Sequence, residues 1–222
     1  MIKQLSREDI ANMQERERAR LINSLSGFKS ANLVGTQDTQ GNPNLAIVSS
    51  VFHIGANPPL IGMIIRPDTV PRDTLSNLQA TGHYTLNHVN STIWQQAHQT
   101  SARYAPGVSE FSEVGLDTQQ ADGIEAPYVA QSQLKFALAL REVQKLEING
   151  TLLVIGEVID IQLPHDSIKA DGYIDIESLN TVAISGLDSY HETRRLGRLS
   201  YAKPEHLPRQ LNLNGEQITE RE

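Results

Sequence analysis

The chain has 222 residues, of which 39% are hydrophobic and 20% charged, and a formal net charge of −7. This composition suits one sizeable soluble globular domain, and an acidic chain without a basic run is a poor match for nucleic acid or an anionic membrane surface. No cysteine is present, which excludes disulfides, thiolate nucleophiles, CxxC redox pairs and thiolate metal sites together.

The N-terminal MIKQLSREDI is polar and charged and lacks the apolar core of a signal peptide. No apolar run approaches the length of a membrane span, so a cytoplasmic location is expected. Residues 6–23 are predicted to be helical, with Ser6 as N-cap and Asp9 three residues on. The ERERAR charges then face water while Ile10, Met13, Leu21 and Ile22 form an apolar side, as in a short appended helix. From Phe28 the pattern changes. SANLVGTQD reads as a strand leading to a turn at Gln40-Gly41-Asn42-Pro43, NLAIVSSVFHIG as a second strand and PPLIGMIIRP as a third. RDTLSNLQATG reads as a helix started by Asp73 or Thr74 and ended at Gly82. HYTLNHV returns as a strand, and STIWQQAHQTSARY reads as a helix capped by Ser91.

Residues 105–127 form a long Pro-, Gly- and acid-rich excursion, expected to be a functional lid because Phe111, Val114 and Leu116 give it something to bury. LKFALALREVQKLEI and TLLVIGEVIDIQL read as two strands meeting at Asn149-Gly150, a two-residue hairpin signal. Leu134, Phe136, Leu138 and Leu140 alternate with Lys135, Ala137, Ala139 and Arg141, the period of a half-buried strand. The polar tail from Glu205 is expected to be loosely held. The organisation predicted is a helical extension over 1–23, one domain over 24–205 and a tail over 206–222.

GxSxG, GxGxxG, GxxxxGK[ST] and HExxH are absent. The histidines at 53, 83, 88, 98, 165, 191 and 206 are scattered, and the odd separation of His83 and His88 puts them on opposite faces of one strand, so no metal site is expected. What stands out is uncharged polarity. Asn44 opens an apolar strand that closes on Ser49 and Ser50; Arg66 ends the next strand; Arg72, Asp73 and Thr74 open a helix with Asn77 one turn on. A helix start with a hydroxyl and an arginine can hold a phosphate, although the same residues also serve as a plain cap. Asn87, Ser49 and Ser50 can hydrogen-bond a planar heterocycle.

The runs SLSGFKSANLVGT, NLAIVSSVFHIGANPPLIGMIIRP and RDTLSNLQATGHYTLNHV, then AHQTSARYAPGVSEF, APYVAQSQLKFAL and NGTLLVIGEVIDI, resemble in order and spacing the flavin reductase-like, FMN-binding split-barrel family. The resemblance covers residues 24–160 and extends to SGLDSYH and YAKP. It implies a mainly β fold with peripheral helices: an antiparallel, Greek-key-like split β-barrel, paired as a homodimer and holding FMN. It places Asn44 and Ala46 beside the isoalloxazine, and Ser49, Ser50 and Val51 along the ring and ribityl chain. It places Arg66, Arg72 and Thr74 towards the phosphate, supported by Asn77, with Asn87 closing the pocket and Ser101, Arg103 and Tyr104 giving further phosphate or lid contacts.

The implied activity is hydride transfer from NADH or NADPH to flavin, the protein binding and tuning the flavin rather than supplying an acid or base. Two departures stand out: Glu110 replaces a basic residue before the loop Phe, and Asn149-Gly150-Thr151 replaces a Gly-Asp-His hairpin. An FMN-binding electron carrier or sensor without nicotinamide turnover is the alternative, and an FMN- or heme-interacting split barrel without a redox role a third. His53 and His98 either line the flavin or serve locally. Trp94 reads as a packing or dimer anchor, while Tyr104 and Phe111 either cover the flavin or pack in a core.

Overall fold

The computed structural model describes residues 1–67, 73–105 and 107–218. In chain order the elements are α1 (Arg7–Asn12), α2 (Glu15–Leu25), β1 (Lys29–Ser30), β2 (Asn32–Gln37), β3 (Pro43–Val48), β4 (Phe52–Ala56) and β5 (Pro59–Ile65). Then come α3 (Asp73–Thr81), β6 (His83–His88), α4 (Trp94–Gln99), α5 (Glu110–Val114), β7 (Thr118–Gln119), β8 (Tyr128–Val129), β9 (Lys135–Lys145) and β10 (Leu152–Gln162). The chain ends with β11 (Val182–Ser185), β12 (Ser189–Glu192), β13 (Arg198–Leu199) and β14 (Gln210–Leu211).

Seven strands form one antiparallel sheet in the order β3-β2-β6-β9-β10-β5-β4. Its inward side chains meet in one cluster: Val34 of β2, Met63 of β5, Tyr84 and Leu86 of β6, Leu138 of β9 and Val154 of β10, with Leu75 and Leu78 of α3 joining them. A sheet whose distant strands share one core is coiled into a barrel, and here it is split, because β3 and β4 are edges that do not pair with each other. A second cluster lies outside the sheet, where Leu33 and Leu45 pack against Ile93, Ala97, Phe111 and Val129. β2 therefore buries both faces, with Val34 inward and Leu33 outward.

β8 lies across the outer face of β2 and β6. Asn87 holds it there: its Oδ1 accepts the Val129 N–H at 2.9 Å, and its Nδ2 donates to Leu33 O at 3.1 Å and to Thr85 Oγ1 at 2.9 Å. Thr85 in turn donates to Pro127 O at 2.6 Å. Gly35 is required beneath this crossing, since a Cβ there would collide with Pro127 O and Thr85 Oγ1. The buried Lys135 ammonium donates to Gln119 Oε1 at 2.7 Å, Val129 O at 3.2 Å and Ala130 O at 3.3 Å, and burial lowers its pKa.

Several local expectations are corrected. The run 6–23 is two helices: the capping box of Ser6 and Asp9 forms, but Met13 and Gln14 turn extended (ψ 148° and 144°) and break the helix, and neither piece buries a residue. The run 44–55 is likewise two strands, interrupted at 49–51 where the chain leaves one sheet edge for the other. α4 starts at Trp94 with Ile93 as N-cap, not Ser91, because Asn90 Oδ1 captures the Thr92 N–H at 3.0 Å and holds the preceding residues in a turn. The β9–β10 connection is wider than two residues: Leu146 N–H donates to Thr151 O at 2.8 Å, and Gly150, at φ 72°, donates to Leu146 O at 2.7 Å. The start of β9 is also covered on both faces, Lys135 and Ala137 outside as well as Leu138 inside. The tail does more than trail, since β14 pairs with β13. No helix among the described residues is long and apolar enough to cross a membrane.

Candidate functional site

The edge strand β3 pairs with β2 so that Asn44 stands opposite Thr36. α3 packs against the same end of the barrel and brings Thr74, in its first turn, and Asn77 to the same place. The Asn44 Nδ2 donates to Thr36 Oγ1 at 3.2 Å and to Thr74 Oγ1 at 3.1 Å; the Asn77 Nδ2 donates to Thr36 Oγ1 at 3.3 Å. Asn44, Thr74 and Asn77, predicted from separate segments, thus form one uncharged polar cluster between the edge strand and a helix start. Thr36 is its unforeseen centre. The only sequence signal for it is a hydroxyl opposite Asn44 across the Gln40–Pro43 turn, legible once the hairpin register is known.

Further along β3, Ala46 and Ser49 are half-buried. The Ser50 hydroxyl donates to Ile64 O at 2.8 Å and accepts the Ile64 N–H at 3.2 Å, clasping the exit of β3 to β5. Val51 packs at the inner core, and its carbonyl accepts from Ser30 Oγ at 3.3 Å. Arg66 lies exposed just after β5. Arg72 lies outside the described residues.

The outward N–H groups of β3 are covered by the segments that follow β6. Glu110, opening α5, accepts the Leu45 N–H at 3.0 Å, and Thr100, ending α4, accepts the Ile47 N–H at 3.0 Å while donating to Ala97 O at 2.8 Å. An edge strand needs such cover, and here two side chains supply it. Burial raises the Glu110 pKa, the Leu45 N–H opposes that shift, and the Asp73 charge reinforces it. Sequence reasoning missed Thr100 altogether and saw Glu110 only as a lost positive charge. Ser101 and Arg103 are exposed beyond α4, and Tyr104 is tied back to it, accepting from Gln99 Nε2 at 3.2 Å.

Asn87 is not brought to this cluster. It is fully buried on the outer face of β6, both ends of its amide engaged in holding β8. The amide is committed to β8 because residues of odd number on β6 face the second core. Phe111 is a residue of that core as well. Trp94 packs on Tyr190 with ring centroids 5.4 Å apart, and His98 Nδ1 lies 3.1 Å from the Tyr190 hydroxyl, so this aromatic group is bound to itself. Burial raises the Tyr190 pKa to about 12, which keeps the phenol protonated. Among the described residues no group of three or more His, Asp or Glu is placed to hold a metal.

An open antiparallel sheet coiled round one core, with a polar cluster joining an edge strand to a helix start, defines a split-barrel protein. The chain belongs to the flavin reductase like domain family, which matches residues 26–178. Its fold is similar to that of a proposed flavin reductase with a split-barrel domain from Shewanella frigidimarina, at 54% identity and TM-score 0.88 over 90% of this chain and 100% of that one. It is also similar to flavoredoxin of Desulfovibrio vulgaris, at 21% identity and TM-score 0.66 over 80% of this chain and 91% of that one. In sequence it is 28% identical to an uncharacterized protein of Deinococcus radiodurans over 72% of this chain and 73% of that protein. The family places the chain among flavin-related oxidoreductases.

Proposed function

We propose that the chain is a cytoplasmic, homodimeric FMN-binding oxidoreductase that passes a hydride from NADH or NADPH to flavin. The observation that carries this is the 3.1 Å contact of Asn44 with Thr74, which joins the edge strand to the first turn of α3. The donor set suits the cofactor. The Thr74 hydroxyl and the Asn44 amide offer neutral hydrogen bonds, the buried Thr36 and Asn77 hold them in place, and a helix start favours an anion. Asn44, Ala46 and Ser49 would border the ring system, and Val51, turned to the inner core, would act by fixing the strand exit beside it. Thr74, Arg66 and Arg72 would meet the phosphate, and Asn77 would hold the helix start in place. Ser50 would act indirectly, by fixing the end of β3. Ser101, Arg103 and Tyr104 would contribute from beyond α4. When bound, the flavin supplies the hydride-accepting centre; the chain's own groups orient it and keep the strand edge dry. Exposed Ile54 on β4 and Ile159 on β10 offer a second copy an apolar surface.

The test is spectroscopic. The purified protein titrated with FMN should show saturable perturbation of the flavin absorbance, and anaerobic NADH or NADPH should bleach it within the mixing experiment. No measurable FMN affinity would remove the proposal. Binding without bleaching by either nicotinamide would leave a carrier or sensor, the reading that the Asn149-Gly150-Thr151 loop favours by lacking a histidine.

A further inference from the structure

At the end of the barrel away from α3 the interior opens into a cavity of about 380 Å³. Its walls are aliphatic and aromatic: Val51, Ile61, Leu134, Phe136 and Val158 from the strands, with Ile174 from the segment crossing the opening. No lysine, arginine, aspartate or glutamate lines it. Ser30 and His53 stand at its exposed rim, and two polar side chains stand on its floor. Asn32 and His88 are direct partners in the pairing of β2 with β6, so they share the inward face.

The Asn32 amide is 1% exposed, and neither its nitrogen nor its oxygen has a hydrogen-bond partner among the described residues. Leaving a buried amide unpaired is unfavourable, and native interiors rarely do so without a purpose. His88 stands edge-on to Phe136, with ring centroids 6.3 Å apart, and its Nδ1 is 3.5 Å from Thr181 Oγ1. Burial pulls its pKa down to about 4, so the imidazole is neutral and adds no charge to the floor.

An apolar chamber with one convergent amide takes a ligand that is itself mostly ring, with one group able to pair with that amide. With no lysine or arginine in its lining, the chamber offers a phosphate or carboxylate no fixed cation, which sets it apart from the helix start at α3. We infer that the barrel mouth binds an uncharged one- or two-ring aromatic compound bearing a single hydroxyl or carbonyl group directed at Asn32. The inference goes beyond the flavin reading and does not depend on it.

The probe is 2-naphthol, which is uncharged at neutral pH and fluorescent, titrated into the full-length protein with and without saturating FMN. Saturable one-to-one binding is expected in both cases, with naphthalene-2-sulfonate weaker by about tenfold or more. Ile174→Trp and Val158→Trp fill the chamber from different sides, and each should weaken 2-naphthol by about tenfold or more while thermal melting confirms a folded protein. Ile174 lies in a loop, so that variant retains the test if Val158→Trp does not fold. Absence of saturable binding, equal affinity for the sulfonate, full affinity in a folded Ile174→Trp, or displacement by FMN would each overturn the proposal. Flavin affinity is read separately from absorbance, so failure here leaves the flavin reading untouched, and the reverse holds too.

Discussion

The carboxylate of Glu110 accepts the backbone N–H of Leu45 at 3.0 Å, so a residue from the excursion after β6 completes the edge of a strand laid down much earlier. Because burial raises its pKa, the folded protein holds a proton on Glu110 more tightly than the unfolded chain does. The resulting stability is fully present below the ordinary glutamate value and is lost as pH rises through the raised folded value. Wild type should therefore lose stability to urea across that window, and Glu110→Gln, which keeps an acceptor without the charge, should be flatter there. Glu110→Ala should cost about 1–3 kcal/mol at all pH values by orphaning the Leu45 N–H. Parallel pH profiles for wild type and Glu110→Gln would exclude the titration.

Thr74→Val keeps the shape of the α3 start and removes its hydroxyl. If Thr74 meets the phosphate, FMN should weaken by roughly 1.5–3 kcal/mol, the range for hydrogen bonds to charged groups, while riboflavin changes little. Paired titrations of the two flavins decide this, and equal losses would place the phosphate elsewhere.

Asn87→Ala should behave oppositely. It removes the acceptor of Val129 N–H and the donor to Leu33 O, so a loss of about 2–3 kcal/mol in unfolding free energy is expected. Any effect on flavin should be equal for FMN and riboflavin. A selective loss of FMN would return Asn87 to the site.

Gly35→Ala should be severe for its size. Its new methyl meets a backbone carbonyl and a hydroxyl already engaged in a 2.6 Å hydrogen bond, neither free to retreat. A loss of about 1–3 kcal/mol and loosening of β8 are expected, measured by urea unfolding and by amide exchange at Val129. A stable variant with unchanged exchange would show that β8 is not pressed onto β2.

The barrel was legible where periodicity and punctuation agree, as in the strands from Asn32, Pro59, His83, Lys135 and Leu152. The breaks were not. Nothing local distinguishes Ser49-Ser50-Val51 from the interior of a strand; the chain bends there because the Ser50 hydroxyl takes over the pairing of Ile64, a partner set by tertiary structure. Ser91 looks like an N-cap, but Asn90 competes for the same turn and wins. In the site, Asn44, Thr74 and Asn77 were legible as types at helix and strand starts. Thr36 and Thr100 were not, since an isolated threonine has no pattern. The partners of Asn87 were not legible either, since they depend on which face of β6 the second core covers.

The two unpaired rims of the sheet, β3 and β4, are neighbours in the chain, and the three residues between them are all the covalent material that spans the slit. Each rim keeps its own register, β3 from β2 and β4 from β5, so the corner must bridge two independently fixed strands with those three residues alone. Three side-chain hydrogen bonds hold it, two through the Ser50 hydroxyl and one from Ser30 to the Val51 carbonyl, so loosening the wall there demands far less than unravelling any paired strand.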